Sequence, residues 1–176
     1  ILNVRATVAG ANFAMKSGSN IVAYDYATSG VTGYTGAAMV ANTNYELTAN
    51  GASTLSGTTG ATSNTLKIAN TSTGSLAVGT STLTVGAILF AGSANYDLTT
   101  SGTGRITPSV LHNYGTSGAV LNLGAIGGAL AQFGTGTTVL TTAAQANAGI
   151  AVNGGIVQFS ANNQLGTPSN GAGITL

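Results

Sequence analysis

The stretch that decides the fold is "GIAVNGGIVQFS", residues 149–160. It holds two apolar pairs, and within each pair a single residue separates the two members. Such alternation with a period of two is typical of a strand that buries one face. The pairs are separated by Asn153, Gly154 and Gly155, which are turn-forming residue types. The stretch therefore predicts two short strands joined by a tight corner, with four side chains directed into a core: Ile150, Val152, Val157 and Phe159.

Short alternating runs of the same kind recur along the chain. Examples are "TLKIA" (65–69), "SLAVG" (75–79), "TLTVG" (82–86), "AVLNLG" (119–124) and "TVLTT" (138–142). No amphipathic helix of normal length fits between them, so we expect an all-β protein. The remaining positions predicted to face inward are Leu66, Ile68, Leu76, Val78, Leu83, Val85, Phe90, Leu98, Leu121, Leu123, Leu140 and Leu165.

The composition excludes several function classes. Only 4% of the 176 residues are charged, whereas about a quarter are charged in ordinary soluble domains. The four basic residues, Arg5, Lys16, Lys67 and Arg105, are scattered, so no nucleic-acid partner or basic membrane-binding patch is expected. The chain has no cysteine, which excludes disulfides and thiolate metal sites. We expect no cofactor and no metal.

Two architectures can accommodate many short strands. One is an antiparallel β-sandwich, and the other is a right-handed parallel β-helix, a β-solenoid in which each strand stacks on its equivalent one turn later. Stacking places like residues in ladders, where charges would repel but Thr, Ser, Asn and Gly pack or hydrogen-bond. The uncharged composition favours the parallel β-helix, and the sandwich remains the alternative.

The expected organisation has two parts. Residues 1–65 form an N-terminal β region, either a cap or the first rungs, and residues 66–176 form the solenoid rungs. The longest weakly polar run, residues 119–134, is shorter than a membrane span and is interrupted by Gly, Asn and Gln. Both ends of the chain have a strand-like pattern, so we expect a fragment of a longer protein.

Residues 134–176 resemble the autotransporter-associated β-strand repeat. The matching positions are Gly134, Gly136, Gly149, Val152, Asn153, Gly154, Gly155, Val157, Leu165 and Gly166. Thr138 stands in place of the usual Leu, Thr142 in place of a Gly, and Ala146 in place of an aromatic residue. Residues 20–107 bear a weaker similarity to the region that precedes such repeats. The resemblance implies a right-handed parallel β-helix, secreted or displayed on a bacterial surface, with no catalytic residues of its own.

Four residues could in principle support catalysis: Asp25, Glu46, Asp97 and His112. The carboxylates lie in separate runs, each beside a tyrosine, and a glycosidase would need two of them close together. His112 has no acidic neighbour in sequence, and no nucleophile-elbow motif is present. We expect structural positions for all four, and no enzyme.

The one concentration of polar aromatic residues is "AYDYATSGVTGYTG", residues 23–36. Tyr24, Tyr26 and Tyr34 there could form a surface patch that contacts carbohydrate or protein, or they could close a corner or end of the solenoid. The leading functional prediction is a structural segment, such as a stalk, adhesin or filament, that associates with itself or with neighbouring repeats. The alternative is a polysaccharide-binding adhesin module that uses the tyrosine patch.

Overall fold

The computed structural model describes residues 2–34, 38–48, 50–55, 61–142, 149–161, 164 and 174–175. Nearly all regular structure in these residues is β, and the single helix α1 spans Tyr26–Ser29. The strands are β1 (Leu2–Val8), β2 (Asn12–Ser17), β3 (Asn20–Ala23), β4 (Asn44–Leu47), β5 (Gly51–Thr54), β6 (Ala61–Ile68), β7 (Gly74–Gly79), β8 (Thr82–Phe90), β9 (Tyr96–Thr100), β10 (Arg105–Asn113), β11 (Val120–Leu123), β12 (Leu130–Gly134), β13 (Thr137–Leu140), β14 (Ile150–Val152), β15 (Ile156–Gln158) and β16 (Ile174–Thr175).

From β4 onward the chain winds into two parallel sheets. One sheet has seven strands in the order β16-β14-β12-β10-β8-β6-β4, and the other has six in the order β15-β13-β11-β9-β7-β5. Since even-numbered strands enter one sheet and odd-numbered strands the other, each coil contributes one strand to each sheet. The prediction of a parallel β-solenoid is confirmed, and the antiparallel sandwich is excluded for these coils.

Apolar side chains stack in register on the inner faces of both sheets. In the six-stranded sheet Leu76, Leu98, Leu123 and Leu140 occupy equivalent positions on successive coils. All four are buried and belong to one continuous hydrophobic core together with residues of the seven-stranded sheet. Burial of each such side chain stabilises the fold by about 1.5–3 kcal/mol relative to exposure. The core that these residues form extends from Tyr34 to Ile150, with Val152 and Val157 packed against it.

Most of the predicted inward positions are buried. This holds for Leu66, Ile68, Leu76, Val78, Leu83, Val85, Phe90, Leu98, Leu121, Leu123, Leu140 and Ile150. Val152 and Val157 are half-buried and pack against the core. Phe159 was predicted to face inward but is 45% exposed, because β15 ends at Gln158 and the alternation no longer sets its direction. Leu165 lies outside the described residues.

The chain begins with a separate antiparallel sheet, in the order β1-β2-β3. This sheet covers the outer face of the seven-stranded sheet, where Phe13 and the tyrosines of α1 and its approach pack against Ala87, Leu89 and Val110. Parallel stacking starts with β4, upstream of the boundary that the sequence placed at residue 66. The first 65 residues therefore contain both a covering sheet and the first coil.

The segment after α1 continues the seven-stranded sheet beyond β4. Val31 forms a parallel bridge with Tyr45, its amide donates to the carbonyl of Asn44, and its carbonyl accepts from the amide of Glu46. Tyr34 follows, and its ring packs edge-on against Tyr45, 5.0 Å between ring centroids. This segment thus covers the outer edge of β4 and the end of the core beneath it.

Candidate functional site

A buried ion pair lies between the N-terminal sheet and the solenoid. Glu46 and Lys67 are direct partners in the β4–β6 register, and both point away from the core because their sequence neighbours, such as Leu66 and Ile68, point inward. Lys67 Nζ lies 2.7 Å from Glu46 Oε1, and the two side chains are only 10% and 14% exposed. Desolvation penalises both partners of a charge pair so far removed from water, so their mutual attraction and hydrogen bonds must offset that penalty.

The N-terminal sheet supplies a third group to this ion pair. Asn12 begins β2, and its Oδ1 accepts a hydrogen bond of 2.7 Å from Lys67 Nζ. The ring of Tyr26 lies 5.5 Å from the same Nζ, in the range of a cation–π interaction. Three chain segments therefore converge on one ammonium group: β2, α1 and the β4–β6 pair.

A network of hydroxyl and amide groups borders the ion pair. Tyr26 Oη is within hydrogen-bond distance of Thr65 Oγ1, 3.2 Å, and Thr65 donates to Asn44 Oδ1. The Asn44 amide donates in turn to Tyr24 Oη, which donates to the carbonyl of Ser29. Burial raises the pKa of the Tyr26 phenol well above its ordinary range. The phenol is therefore neutral at physiological pH and serves as a hydrogen-bonding group.

The predicted tyrosine patch is not on the surface. Tyr24, Tyr26 and Tyr34 are 6%, 3% and 4% exposed. Tyr24 and Tyr26 meet edge to face, 4.8 Å between ring centroids, beneath the N-terminal sheet, whereas Tyr34 packs on the end of the core. The possibility of an exposed contact patch is corrected. The hydroxyls of Tyr24 and Tyr26 find partners inside the protein, and the ring of Tyr34 packs on Tyr45. Their positions match the other possibility, that they close a corner or end.

The structure does not bring the three carboxylates into one pocket. Asp25 caps α1, accepting from the amides of Ala27 and Thr28, and the Thr28 hydroxyl lowers the pKa of its carboxyl. Asp97 lies on the outer face of the six-stranded sheet, where Asn122 donates to it at 2.6 Å. Glu46 is on the other sheet. Among the described residues no group of three His, Cys, Asp or Glu could hold a metal ion.

His112 lies on the outer face of β10, below the N-terminal sheet. Its ring is 3% exposed and packs against Phe13 at 5.9 Å and Phe133 at 5.7 Å between centroids. The Phe13 contact joins the N-terminal sheet to the solenoid. His112 therefore serves as an aromatic packing residue between the N-terminal sheet and the seven-stranded sheet.

A second polar feature lies at the corner between the two parallel sheets, where buried amides replace apolar side chains. Asn70 donates to the carbonyls of Ser72, Ala94 and Asn95. Asn113 donates to the Thr137 carbonyl and to Thr138 Oγ1. Each amide bonds to the coil that follows it. A hydroxyl residue at position 138 therefore has a partner inside the corner: Thr138 is fully buried and accepts from Asn113.

Little in the sequence singles out Asn12 and Lys67. One signal was present: Lys67 is one of only two lysines, and it stands in the middle of a predicted strand. Alternation placed it opposite to Leu66 and Ile68, but its Asn12 partner comes 55 residues earlier. No local pattern connects the two residues.

The geometry defines the class of this protein as a parallel β-solenoid with an antiparallel sheet docked on one flank. Comparisons with family models, with curated proteins and with solved structures gave no match. In the part of the chain that is described, no helix combines the length and the apolar character needed to cross a bilayer.

Proposed function

We propose that this chain is a non-enzymatic structural segment of a secreted or bacterial cell-surface protein, acting as stalk, adhesin shaft or filament material. The observation that carries the proposal is the unbroken ladder from β4 to β16, which encloses one continuous core. In such a stack each coil contacts only its neighbours, so length can be added without changing the cross-section. The function would then be geometric: to hold other parts at a distance.

The use of the charged groups supports a structural role. Asp25 caps a helix, Glu46 pairs with a buried lysine, and Asp97 ties two neighbouring strands. Each carboxylate is thus engaged in holding the fold. The resemblance of residues 134–176 to the autotransporter-associated repeat supports a place on a bacterial surface, where such rods occur.

We further propose that the solenoid stacks with coils of its own kind, from neighbouring repeats or from a second copy. Ile156 on β15 is 53% exposed, and Phe159 just beyond the strand is 45% exposed. β15 pairs with β13 on one side, and no described strand pairs with its other edge. A strand edge without a described partner, beside exposed apolar side chains, favours addition of another strand.

Two measurements test this proposal. Small-angle scattering and electron microscopy of the purified chain should show an elongated particle, and sedimentation velocity should show association that increases with concentration. Ile156→Thr should weaken that association, whereas Ile21→Thr, at a residue that is 69% exposed on the N-terminal sheet, should leave it unchanged. A globular monomer at all concentrations would contradict the scaffold proposal. Saturable binding to a polysaccharide would favour the adhesin-module alternative instead.

A further inference from the structure

The side chains of Asn12 and Glu46 both contact the ammonium group of Lys67 between the N-terminal sheet and the solenoid. We propose that Lys67 Nζ and Asn12 Cγ join in an intramolecular amide (isopeptide) bond, with Glu46 transferring the protons. The bond would tie the N-terminal sheet to the solenoid. It goes beyond the scaffold role, because it is a specific self-catalysed modification of two named side chains.

The geometry places the amine on the carboxamide. Lys67 Nζ is 2.7 Å from Asn12 Oδ1, and Cγ is the carbon to which Oδ1 is bonded. Rotation about the Cβ–Cγ bond of Asn12 turns the face of the carboxamide, where Cγ can be attacked, toward Nζ. Glu46 Oε1 is 2.7 Å from the same Nζ. Holding reacting groups at this separation replaces a bimolecular encounter by an intramolecular step, which can supply much of the barrier reduction.

The reaction balances without any added reagent. The Glu46 carboxylate takes one proton from the Lys67 ammonium, leaving a neutral amine with a lone pair. The amine nitrogen attacks Cγ of Asn12, a new Nζ–Cγ bond forms, and the carbonyl electrons move onto Oδ1. Glu46 passes the first proton to Nδ2 and takes a second proton from Nζ, the carbonyl is restored, and the Cγ–Nδ2 bond breaks to release ammonia. Glu46 then gives the second proton to this ammonia, so the products are a secondary amide and one ammonium ion, and Glu46 is again a carboxylate.

The surroundings suit this chemistry. Lys67 and Glu46 are nearly buried, Phe13 next to Asn12 is fully buried, and the Tyr26 ring lies over Nζ. Low exposure strengthens the interactions of the reacting groups with each other and keeps out water that would compete as a nucleophile. The chain has only one other lysine, Lys16, which is exposed on β2 and supplies a matched comparison.

The bond would also stabilise the attachment of the N-terminal sheet to the solenoid. Asn12 and Lys67 are 55 residues apart, and they belong to the covering sheet and to the second strand of the seven-stranded sheet. A covalent link between them closes a long loop in the unfolded chain, which favours the folded state. It would also prevent the N-terminal sheet from peeling away when the rod is pulled.

The decisive experiment is mass spectrometry of the purified, folded wild-type chain. We expect an intact mass lower than the sequence mass by one ammonia. Trypsin can cleave after Arg5, Lys16, Lys67 and Arg105, but a linked Lys67 resists cleavage. The digest should therefore contain a branched product in which residues 6–16 are attached to residues 17–105. Separate peptides 6–16, 17–67 and 68–105 at full mass would overturn the proposal.

Variants separate this reaction from others that release ammonia, such as ring closure at Asn-Gly sequences. Lys67→Arg, Asn12→Ala and Glu46→Gln should each restore the sequence mass, whereas the controls Lys16→Arg and Asn20→Ala should keep the deficit. Asn12→Asp should lose water in place of ammonia. A deficit that persists in Lys67→Arg would overturn the cross-link, and one that persists in Glu46→Gln would overturn the role of Glu46. If a variant fails to fold by circular dichroism, the wild-type digest still decides the question. Rod formation without the cross-link would leave the scaffold proposal standing, so the two can fail separately.

Discussion

The side-chain oxygen of Asn70 occupies the space in which Gly92, one coil further on, would carry a side chain. The Asn70 amide nitrogen meanwhile bonds to carbonyls of that same following coil. The polar corner of the solenoid is thus built from an amide on one coil and a missing side chain on the next.

Replacing Gly92 by Ala should therefore destabilise the protein. The new methyl group would overlap the Asn70 carboxamide and the ring of Phe90, and overpacking of this kind costs about 1–3 kcal/mol. Chemical denaturation followed by circular dichroism measures the effect. The control Ser93→Ala changes an exposed neighbour and should alter stability by no more than about 0.5 kcal/mol. Equal stability of the two variants would show that the corner tolerates the added group.

A pair of asparagines tests the value of the buried amides. Asn113 is fully buried and donates to Thr137 and Thr138 of the next coil, so Asn113→Ala leaves buried polar groups without partners. We expect a loss of about 1–3 kcal/mol in the free energy of unfolding. Asn122→Ala removes a half-buried amide on the outer face and should cost about 1 kcal/mol or less. The reverse order of the two effects in urea denaturation would contradict this account of the corner.

Docking of the N-terminal sheet can be tested at a glycine. Gly10 has φ of +68°, and a Cβ there would lie 2.7 Å from the ring of Tyr114. Gly18 has a similar φ of +59° but nothing within 4 Å of its Cβ position. Both Gly→Ala variants incur the backbone strain of a positive φ, and only Gly10→Ala adds the clash.

We expect Gly10→Ala to be the less stable of the two variants by about 1–3 kcal/mol. Limited proteolysis should also cut its N-terminal sheet faster, since that sheet would dock less tightly. If both variants behave alike, the Tyr114 contact does not hold the sheet in place.

The buried phenol of Tyr96 predicts sensitivity to alkaline pH. Burial raises its pKa from 10.0 to about 12, so the unfolded chain loses this proton first. The free energy of unfolding should then fall as pH rises from about 10 to about 12, with a slope of about 1.4 kcal/mol per pH unit for each such group. Below pH 10 the group has no effect of this kind.

Tyr96→Phe should make this decline shallower. None of the described residues hydrogen-bonds the buried hydroxyl, so its removal should leave stability at neutral pH equal or higher. Denaturation curves collected across the alkaline range provide the measurement. A decline as steep as in the wild type would mean that other groups dominate alkaline unfolding.

The coils could be predicted from the sequence because each strand contains its own alternation of apolar and polar residues. In "SLAVG" the alternation alone directs Leu76 and Val78 inward, and both are buried. Uncharged composition then selected stacking over a sandwich. Such signals are local, and they survive because every coil repeats the same relationship to its neighbours.

Features that depend on distant segments could not be predicted. Alternation shows which side chains share a face of a strand, but it does not show what covers that face. The sequence leaves open whether Tyr24 and Tyr26 form a surface patch or close a corner, because the groups that bond their hydroxyls, Asn44 and Thr65, lie 20 and 39 residues away. The Asn12 partner of Lys67 was missed for the same reason.

The bridge between Val31 and Tyr45 has a consequence for how strands could exchange at this end of the seven-stranded sheet. The backbone groups of Asn44 and Glu46 that face outward are already bonded to Val31. An incoming strand could pair there only after these bonds open, so its addition would be a displacement with its own activation barrier. Assembly of further chains at this edge would therefore be slow, and its first step would be release of the Val31 segment from β4.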